Sequence, residues 1–205
     1  MGDTDAVRAP RSGRSRAFDC LRLGAALVLV LAGGWRSESA GAGLVSFRIQ
    51  AEASDVTFKA TSRLMNAEGR FHNMSGEIVV DPADITTARV ALRVEAPSID
   101  TGIGMRDNHL RSEDFLDARQ FPLLTFESTR VEAIGRRANV FGRLTIHGVT
   151  REIAVPVDVD VSATALVAGG EFVINRRDYG IDYQSVLNPI GNEVRIAFTF
   201  RARAA

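Results

Sequence analysis

IAVPVDVDV, residues 153–161, places an isoleucine and four valines at alternate positions, with alanine, proline and two aspartates between them. An alternation with a period of two gives a β-strand one apolar face and one polar face. The segment 194–201 near the C-terminus repeats this pattern. Because the sequence offers little amphipathic helix to cover such faces, it predicts an antiparallel sheet that closes on its own apolar side.

The same alternation recurs along the chain and predicts roughly nine strands. We expect them at 45–49, 56–60, 69–80, 90–96, 123–128, 139–146, 153–161, 170–175 and 194–201. Segment 98–119 loses the alternation and gains charge and glycine, so we expect a loop with one or two short helices there, with Ser112 as a helix N-cap. About eight strands can close into a barrel whose interior holds either its own side chains or one small ligand.

The first 42 residues have the pattern of an export signal. Five arginines precede the apolar run LGAALVLVLA at 23–32, and Ala40, Gly41 and Ala42 form an A-x-A-like cleavage site. This run is too short for a transmembrane helix, which needs about 20 apolar residues. We therefore expect cleavage near Ala42 and a periplasmic or secreted domain at 43–205. The alternatives are an uncleaved interfacial helix or a start codon assigned too far upstream.

Charge and cysteine content exclude several classes of function. The chain has 25 basic and 25 acidic residues and a formal net charge of zero, and this balance argues against a nucleic-acid-binding surface, which needs a basic stripe. Its single cysteine, Cys20, lies before the apolar run and would leave with the signal. The predicted domain therefore has no thiol or disulfide chemistry.

The sequence also lacks the residue patterns of an enzyme. His72, His109 and His147 are widely spaced and form no H-x-H or H-E-x-x-H motif. There is no G-x-S-x-G motif and no glycine-rich phosphate loop before a helix. Asp114 and Asp117 are close in sequence, but carboxylates in a charged loop are usually solvated. We predict no catalytic residue and no metal ligand; the alternative is a metal-dependent enzyme with a zinc site built from the three distant histidines.

Three segments carry a resemblance to a known family: SIDTGIGMRDNHLRSEDFLDARQFPLLTFEST at 98–129, GRLTIHGVTREI at 142–153 and INRRDYGID at 174–182. They resemble the YceI-like proteins, bacterial lipocalin-like barrels described as polyisoprenoid-binding and usually exported to the periplasm. The resemblance covers nearly all of 45–200. The N-terminal part of the domain differs from the family pattern. Ala53 and Ser54 stand where many members carry a His-Ser pair, and no histidine precedes His72, whereas many members carry one in the second strand.

The resemblance implies an all-β, antiparallel lipocalin-like barrel that carries or stores a long-chain isoprenoid lipid without catalysis. The ligand would be a polyprenyl lipid or an isoprenoid quinone with its tail inward, and no other cofactor is implied. Burial of an apolar chain recovers about 25 cal/mol per Å², so the tail needs no directional bond. Transient contact with the inner membrane is expected, and a homodimer is allowed but not required by any residue.

Two sets of residues are candidates for ligand contact. The first set consists of apolar residues on the inward faces. They are Phe47, Phe58, Phe71, Leu92, Val94, Leu110, Phe115, Phe126, Leu144, Phe172 and Phe198. The second set, for the head group or a lid, consists of Arg106, Asp107, His109 and Arg176. A structural role is favoured for these charges, in which Arg106 and Asp107 tie a helix to the barrel rim by capping or ion pairing and Arg176 forms a surface pair or a strand-end anchor.

The sequence is also compatible with a third class of function, an interaction or stress protein whose barrel is filled by its own side chains. An internal apolar cavity distinguishes a carrier from such a protein.

Overall fold

A computed structural model describes residues 43–205, so the predicted leader, Cys20 and the cleavage site at Ala42 lie outside the described residues. The strands are β1 Val45–Ile49, β2 Asp55–Ser62, β3 Ala67–Phe71, β4 Met74–Asp81, β5 Asp84–Glu95, β6 Ile99–Asp100, β7 Leu123–Ile134, β8 Arg137–Ile146, β9 Val149–Val161, β10 Ala165–Asn175 and β11 Ile190–Ala204. The α-helix α1 spans Gly104–Arg111, and short 3₁₀ helices span Ala51–Ala53, Ala96–Ser98 and Arg176–Tyr179.

These eleven segments form eight barrel strands, because three of the barrel strands are each interrupted once. β1 and β2 follow one another along β11, with Phe47 opposite Ala204 and Phe58 opposite Ile196. In the same way, β3 and β4 together form the second barrel strand, and β5 and β6 together form the third. Each barrel strand pairs antiparallel with the next, and β11 pairs back to the first, which closes the barrel. The predicted antiparallel lipocalin-like barrel of about eight strands is confirmed.

The prediction of one strand over 69–80 is wrong, because the chain breaks at His72 and Asn73. The Asn73 side-chain amide donates to Glu95 Oε2 at 2.8 Å, and the Asn73 backbone N–H donates to Ser98 Oγ at 3.1 Å. The neighbouring barrel strands are interrupted at the same height by the 3₁₀ helices at 51–53 and 96–98. The interruptions of three adjacent barrel strands therefore coincide in the sheet.

The pairing between β9 and β10 is short, and a proline explains where it stops. The ladder runs from Val161 opposite Leu166 to Val157 opposite Gly170. The next residue of β9 is Pro156, which has no N–H to donate to the ladder. Beyond this point the 3₁₀ helix at 176–179 packs beside β9. Arg151 Nε donates to the Asp178 carbonyl at 2.8 Å, so this helix closes the side of the barrel that the ladder leaves open.

Segment 101–122 lies across one end of the barrel, where it forms α1 and a series of turns. Leu110, Phe115 and Leu116 face the barrel interior from this segment. The predicted N-cap at Ser112 is wrong, because Ser112 follows α1 instead of preceding a helix. Its backbone N–H and its hydroxyl both donate to the His109 carbonyl, at 3.1 and 2.7 Å, and so satisfy the end of α1.

The opposite end of the barrel is filled with side chains. Phe47, Val80, Leu166 and Ala202 meet there and are at most 3% exposed. No helix within residues 43–205 is long and apolar enough to cross a bilayer.

Candidate ligand-binding cavity

A cavity of about 510 Å³ lies inside the barrel, between the filled end and the end covered by α1. All eight barrel strands contribute apolar side chains to its wall. Many of these side chains remain partly exposed although they point into the barrel, as Phe58, Leu92 and Phe126 do. Since inward-facing side chains in a filled barrel would exclude solvent from one another, this partial exposure means that the lumen is open.

The structure brings ten of the eleven predicted lining residues together on this wall. They are Phe58, Phe71, Leu92, Val94, Leu110, Phe115, Phe126, Leu144, Phe172 and Phe198. Phe47 is not on the wall, and its prediction as a lining residue is wrong. It does point inward, but it sits opposite Ile78 and Ala204 at the filled end and is 0% exposed. Contact of the other ten with a ligand stays a prediction.

Three of the wall phenylalanines lean over glycines of the neighbouring strand. Phe58 lies opposite Gly69 and Phe198 opposite Gly170 in the strand register. A Cβ atom built on Gly69 would lie 2.8 Å from the Phe58 ring, and one built on Gly170 would lie 3.0 Å from the Phe198 ring. Phe126 is diagonal to Gly142 in the register, and its ring would lie 2.5 Å from a Cβ atom built there. The missing side chains allow the rings to lie along the wall, which leaves the lumen clear.

The mouth of the cavity, at the α1 end, carries polar side chains that the deeper wall lacks. Among the residues that line it are Ser62, Arg106, His109, Arg176, Tyr183, Ser185 and Asn188. Sequence reasoning missed Tyr183, Ser185 and Asn188, because a loop has no alternation from which an inward face can be inferred. It missed Ser62 because β2 extends to this residue, two positions beyond the end of the predicted strand. One signal was available, since the loop at 183–189 directly follows the family-like segment 174–182.

The helix α1 is tied to the strand before it by Asp107 and Arg106. The Asp107 carboxylate is 6% exposed and accepts hydrogen bonds from the Thr101 hydroxyl and, at 2.9 Å, from the Thr101 N–H. Arg106 donates to Thr101 Oγ1 at 2.9 Å and to the Thr101 carbonyl at 3.1 Å. Asp107 is therefore not among the residues that line the cavity and takes the structural role, not the head-group contact, whereas Arg106 both anchors α1 and lines the mouth.

An aromatic cluster joins α1 to the loop on the other side of the mouth. The His109 ring lies 5.0 Å from the Phe115 ring and 4.9 Å from the Tyr183 ring, both edge-on. His109 Nε2 is 3.0 Å from Asp114 Oδ2, which fixes the orientation of the imidazole. This cluster packs α1 against the loop at 183–189.

Arg176 is a buried cation at the mouth and has no carboxylate partner among the described residues. Its guanidinium is held by main-chain carbonyls instead: Nη1 donates to Ile181 at 2.6 Å and Nε to Gly191 at 3.0 Å. Burial lowers the pKa of Arg176, the charge of Arg177 adds to this effect, and Asp182 opposes it. An arginine remains charged even so. The mouth therefore carries a fixed positive charge that forms no salt bridge with a carboxylate of residues 43–205.

The three histidines are not brought together, and no metal site results. His72 is on the outer surface, where its Nε2 lies 2.9 Å from Asp100 Oδ2 and this hydrogen bond lowers the pKa of Asp100. His147 lies beside the 3₁₀ helix, with Nδ1 3.3 Å from the Tyr179 carbonyl. Within residues 43–205 no group of three or more His, Cys, Asp or Glu side chains could hold a metal ion. The absence of a metal in the working protein stays a prediction.

Comparison with known proteins agrees with this geometry. Residues 47–202 match the model of the YceI-like domain family. A UPF0312 protein of Pseudomonas aeruginosa strain LESB58 is 34% identical over 134 residues, which are 62% of this chain and 69% of that protein. A UPF0312 protein of Vibrio cholerae serotype O1 is 40% identical over 89 residues, 43% of this chain and 47% of that protein.

Solved structures show the same fold. BcnA of Burkholderia cenocepacia superposes with a TM-score of 0.69 at 26% identity, covering 75% of this chain and 98% of BcnA. A polyisoprenoid-binding domain from Saccharophagus degradans, implicated in plant cell wall breakdown, superposes with a TM-score of 0.66 at 22% identity, covering 78% and 99%. The resemblance found in the three sequence segments is confirmed.

Proposed function

The chain belongs to the YceI-like domain family, and from this premise we propose that it binds a long-chain isoprenoid lipid in the barrel cavity and carries or stores it without chemical change. The observation that carries the proposal is the open apolar cavity of about 510 Å³. Ligand cavities in proteins typically measure about 300–1,000 Å³ and have mostly apolar walls with a few polar groups. A protein that only displays an outer surface to a partner needs no such cavity.

The polarity of the cavity sets the orientation of the ligand in this proposal. An isoprenoid tail is apolar along its length, so it occupies the deep wall around Leu92 and Phe126. The oxygen-bearing head group, of a polyprenyl lipid or a quinone, remains at the mouth. Arg176 and Arg106 offer N–H groups to its oxygen atoms there, and His109 is close by. Both arginines also bond to main-chain carbonyls, so the head group meets donors that are already held in place.

The family comparison supports the class of ligand in this proposal. The Saccharophagus degradans domain, which shares the fold, is described as polyisoprenoid-binding. We extend this class of ligand to the present chain on the strength of its own cavity. The proposal includes export, with residues 1–42 removed near Ala42, and action in the periplasm or outside the cell, where a carrier can meet the inner membrane.

Organic extraction of the purified protein, followed by mass spectrometry, tests the proposal. We expect an isoprenoid lipid to copurify with the wild-type protein. The variant Leu92→Asp puts a carboxylate on the apolar wall, and it should lose at least about 90% of this lipid, because burial of an unpaired charge is costly. Arg93→Asp is the matched control, since Arg93 is the next residue of β5 and points outward.

Far-UV circular dichroism establishes whether each variant keeps its sheet. A folded Leu92→Asp protein that retains the wild-type amount of lipid would contradict the assignment of the cavity. A wild-type protein that yields no isoprenoid lipid, and that does not bind added geranylgeraniol, would overturn the proposed function as a whole.

A further inference from the structure

Exposed apolar side chains are concentrated around the mouth of the cavity. Six of the ten large apolar side chains that are exposed within residues 43–205 come from three short segments: 64–65, 103–105 and 186–187. Five of them are between 62% and 95% exposed. These five, Leu64, Met65, Met105, Val186 and Leu187, are called the apolar rim below. Single exposed apolar residues are ordinary, but several around one opening indicate a contact surface.

Hydrogen bonds hold two segments of the apolar rim together. The Leu64 N–H donates to Asn188 Oδ1 at 2.9 Å, and the Arg63 N–H donates to the Pro189 carbonyl at 3.2 Å. The third segment is adjacent, since Arg106 Nη1 lies 4.0 Å from the sulfur of Met65. The β2–β3 turn, the start of α1 and the loop before β11 therefore meet at one edge of the mouth.

The apolar rim is continuous with the cavity wall. Met65 belongs to both, and the other rim residues each adjoin a wall residue in sequence: Met105 precedes Arg106, Val186 follows Ser185, and Leu187 precedes Asn188. A ligand tail leaving the cavity on this side passes directly onto apolar side chains instead of into water.

The charge on the same segments has one sign. Residues 62–66, 103–106 and 185–188 include Arg63 and Arg106 and no acidic residue. Neither arginine has a salt-bridge partner within the part of the chain that the structure describes. Exposed apolar side chains flanked by arginines that form no salt bridge match the boundary of a phospholipid bilayer, where acyl chains lie beneath a layer of phosphate groups.

We propose that the apolar rim inserts into the surface of a phospholipid bilayer, with Arg63 and Arg106 against its phosphate groups, and that the cavity ligand crosses between bilayer and barrel at this edge. The inference rests on the proposed function, because it supplies the route by which a lipid ligand enters the cavity. It also assigns the occupant of this surface: a membrane, and not a second copy of the chain.

The test uses the purified protein with vesicles of phosphatidylethanolamine and phosphatidylglycerol. The double variant Met105→Ser with Leu187→Ser should bind these vesicles at least about tenfold more weakly than wild type in a flotation assay, since removing each buried side chain weakens partition roughly that much. Transfer of geranylgeraniol from vesicles to the protein should slow by a similar factor. Ile134→Ser is the matched control, because Ile134 is 90% exposed but lies at the β7–β8 turn, at the filled end of the barrel.

A second measurement separates this inference from the proposed function. Geranylgeraniol added without vesicles should bind wild type, the double variant and the control equally, as measured by titration calorimetry. If wild type fails to bind geranylgeraniol in the absence of vesicles, the result counts against the proposed function, whatever the vesicle assays show. Normal binding there, together with equal vesicle binding and transfer for the double variant and wild type, overturns the membrane inference. So does a wild-type dimer that the double variant converts to a monomer, since the apolar rim would then be covered by a second copy.

Discussion

At the scale of single residues, the α1 end of the barrel depends on three buried polar side chains. Asp107 and Arg176 both use main-chain partners: Asp107 accepts from an N–H, and Arg176 donates to carbonyls. These bonds offset the cost of burying a charge without requiring a second charged side chain. Tyr179 is different, because its hydroxyl is buried and has no hydrogen-bond partner among the described residues.

The unpartnered hydroxyl of Tyr179 leads to a prediction about stability and pH. Burial, with a smaller contribution from Asp178, raises the pKa of Tyr179 to about 12, from an ordinary value of 10.0. Tyr179→Phe removes a polar group that gains nothing from burial, so at neutral pH the free energy of unfolding should stay the same or rise by up to about 1 kcal/mol.

At alkaline pH the free energies of unfolding of wild type and Tyr179→Phe should diverge. The folded wild-type protein holds the Tyr179 proton up to about pH 12, whereas the unfolded chain releases it near pH 10. The wild-type protein therefore loses stability as pH rises through this window, and the Phe variant lacks that loss. Urea unfolding at a series of pH values measures the effect, and parallel curves for the two proteins above pH 10 would contradict it.

The residue scale also shows where sequence reasoning was sufficient. Asp107 and Arg106 were expected to tie a helix to the rim in preference to contacting a head group, and Thr101 is the hydrogen-bond partner of both. Arg176 was selected from the segment 174–182, which also contains one of its carbonyl partners, Ile181. Its other partner, Gly191, comes near only after the loop at 183–189. Partners of this kind are set by tertiary folding and leave no local pattern.

At the scale of elements, alternation in sequence identified the strands and their inward faces but not their breaks. The inward positions of β9 follow directly from IAVPVDVDV, and Pro156 within it marks where the β9–β10 ladder ends. The break at His72 and Asn73 was missed, because the side chains that stabilise it belong to Glu95 and Ser98 on a different strand. Ser112 was assigned to the wrong end of a helix, since a serine hydroxyl can satisfy either end and the α1 segment is not amphipathic.

Two consecutive glycines of β10 provide a prediction at this scale. A Cβ atom on Gly170 would lie 2.3 Å from the Pro156 carbonyl oxygen, so Gly170→Ala must displace the backbone of β9 or β10. We expect it to lower the free energy of unfolding by about 1–3 kcal/mol. Gly169→Ala is the matched control, because its nearest neighbour would be the Phe198 carbonyl oxygen at 3.4 Å, an ordinary contact.

The control should be neutral or stabilise by about 0.4–1 kcal/mol, through the reduced entropy of the unfolded chain. Urea denaturation of the two variants measures both effects. Equal free energies of unfolding for Gly170→Ala and Gly169→Ala would contradict the prediction, because they would show that the close approach of Pro156 to Gly170 does not restrict the side chain at position 170.

At the scale of the whole molecule, the sequence predicted a closed barrel but left open whether it is filled. Inward phenylalanines and valines occur both in packed cores and in the walls of ligand cavities, so the residue types alone do not show whether the interior is filled. The cavity exists because bulky rings lean over glycines such as Gly142 and Gly170, and because side chains such as Ala88 and Ala168 are short. Such pairings across strands depend on register, which only the closed sheet defines.

The short side chain of Ala88 gives a test of the cavity itself. Ala88 lies on β5 and lines the cavity, where an indole has open space to occupy. Ala88→Trp should therefore reduce bound geranylgeraniol at least about tenfold. It should not lower the free energy of unfolding by the roughly 1–3 kcal/mol that overpacking a filled core costs. Ala91→Trp places the same side chain on the outer face of the same strand, and it should leave ligand binding unchanged.

Titration calorimetry and thermal unfolding together distinguish an open lumen from a filled one. In a filled barrel, Ala88→Trp would lower the melting temperature by several degrees, since each destabilisation of about 1 kcal/mol lowers it by roughly 2–4 °C in a domain of about 160 residues. In an open lumen, the indole gains contacts with the apolar wall, and the melting temperature should hold or rise. A variant with an unchanged melting temperature that still binds geranylgeraniol like wild type would place the ligand elsewhere, because the indole and the isoprenoid tail cannot share the base of the cavity.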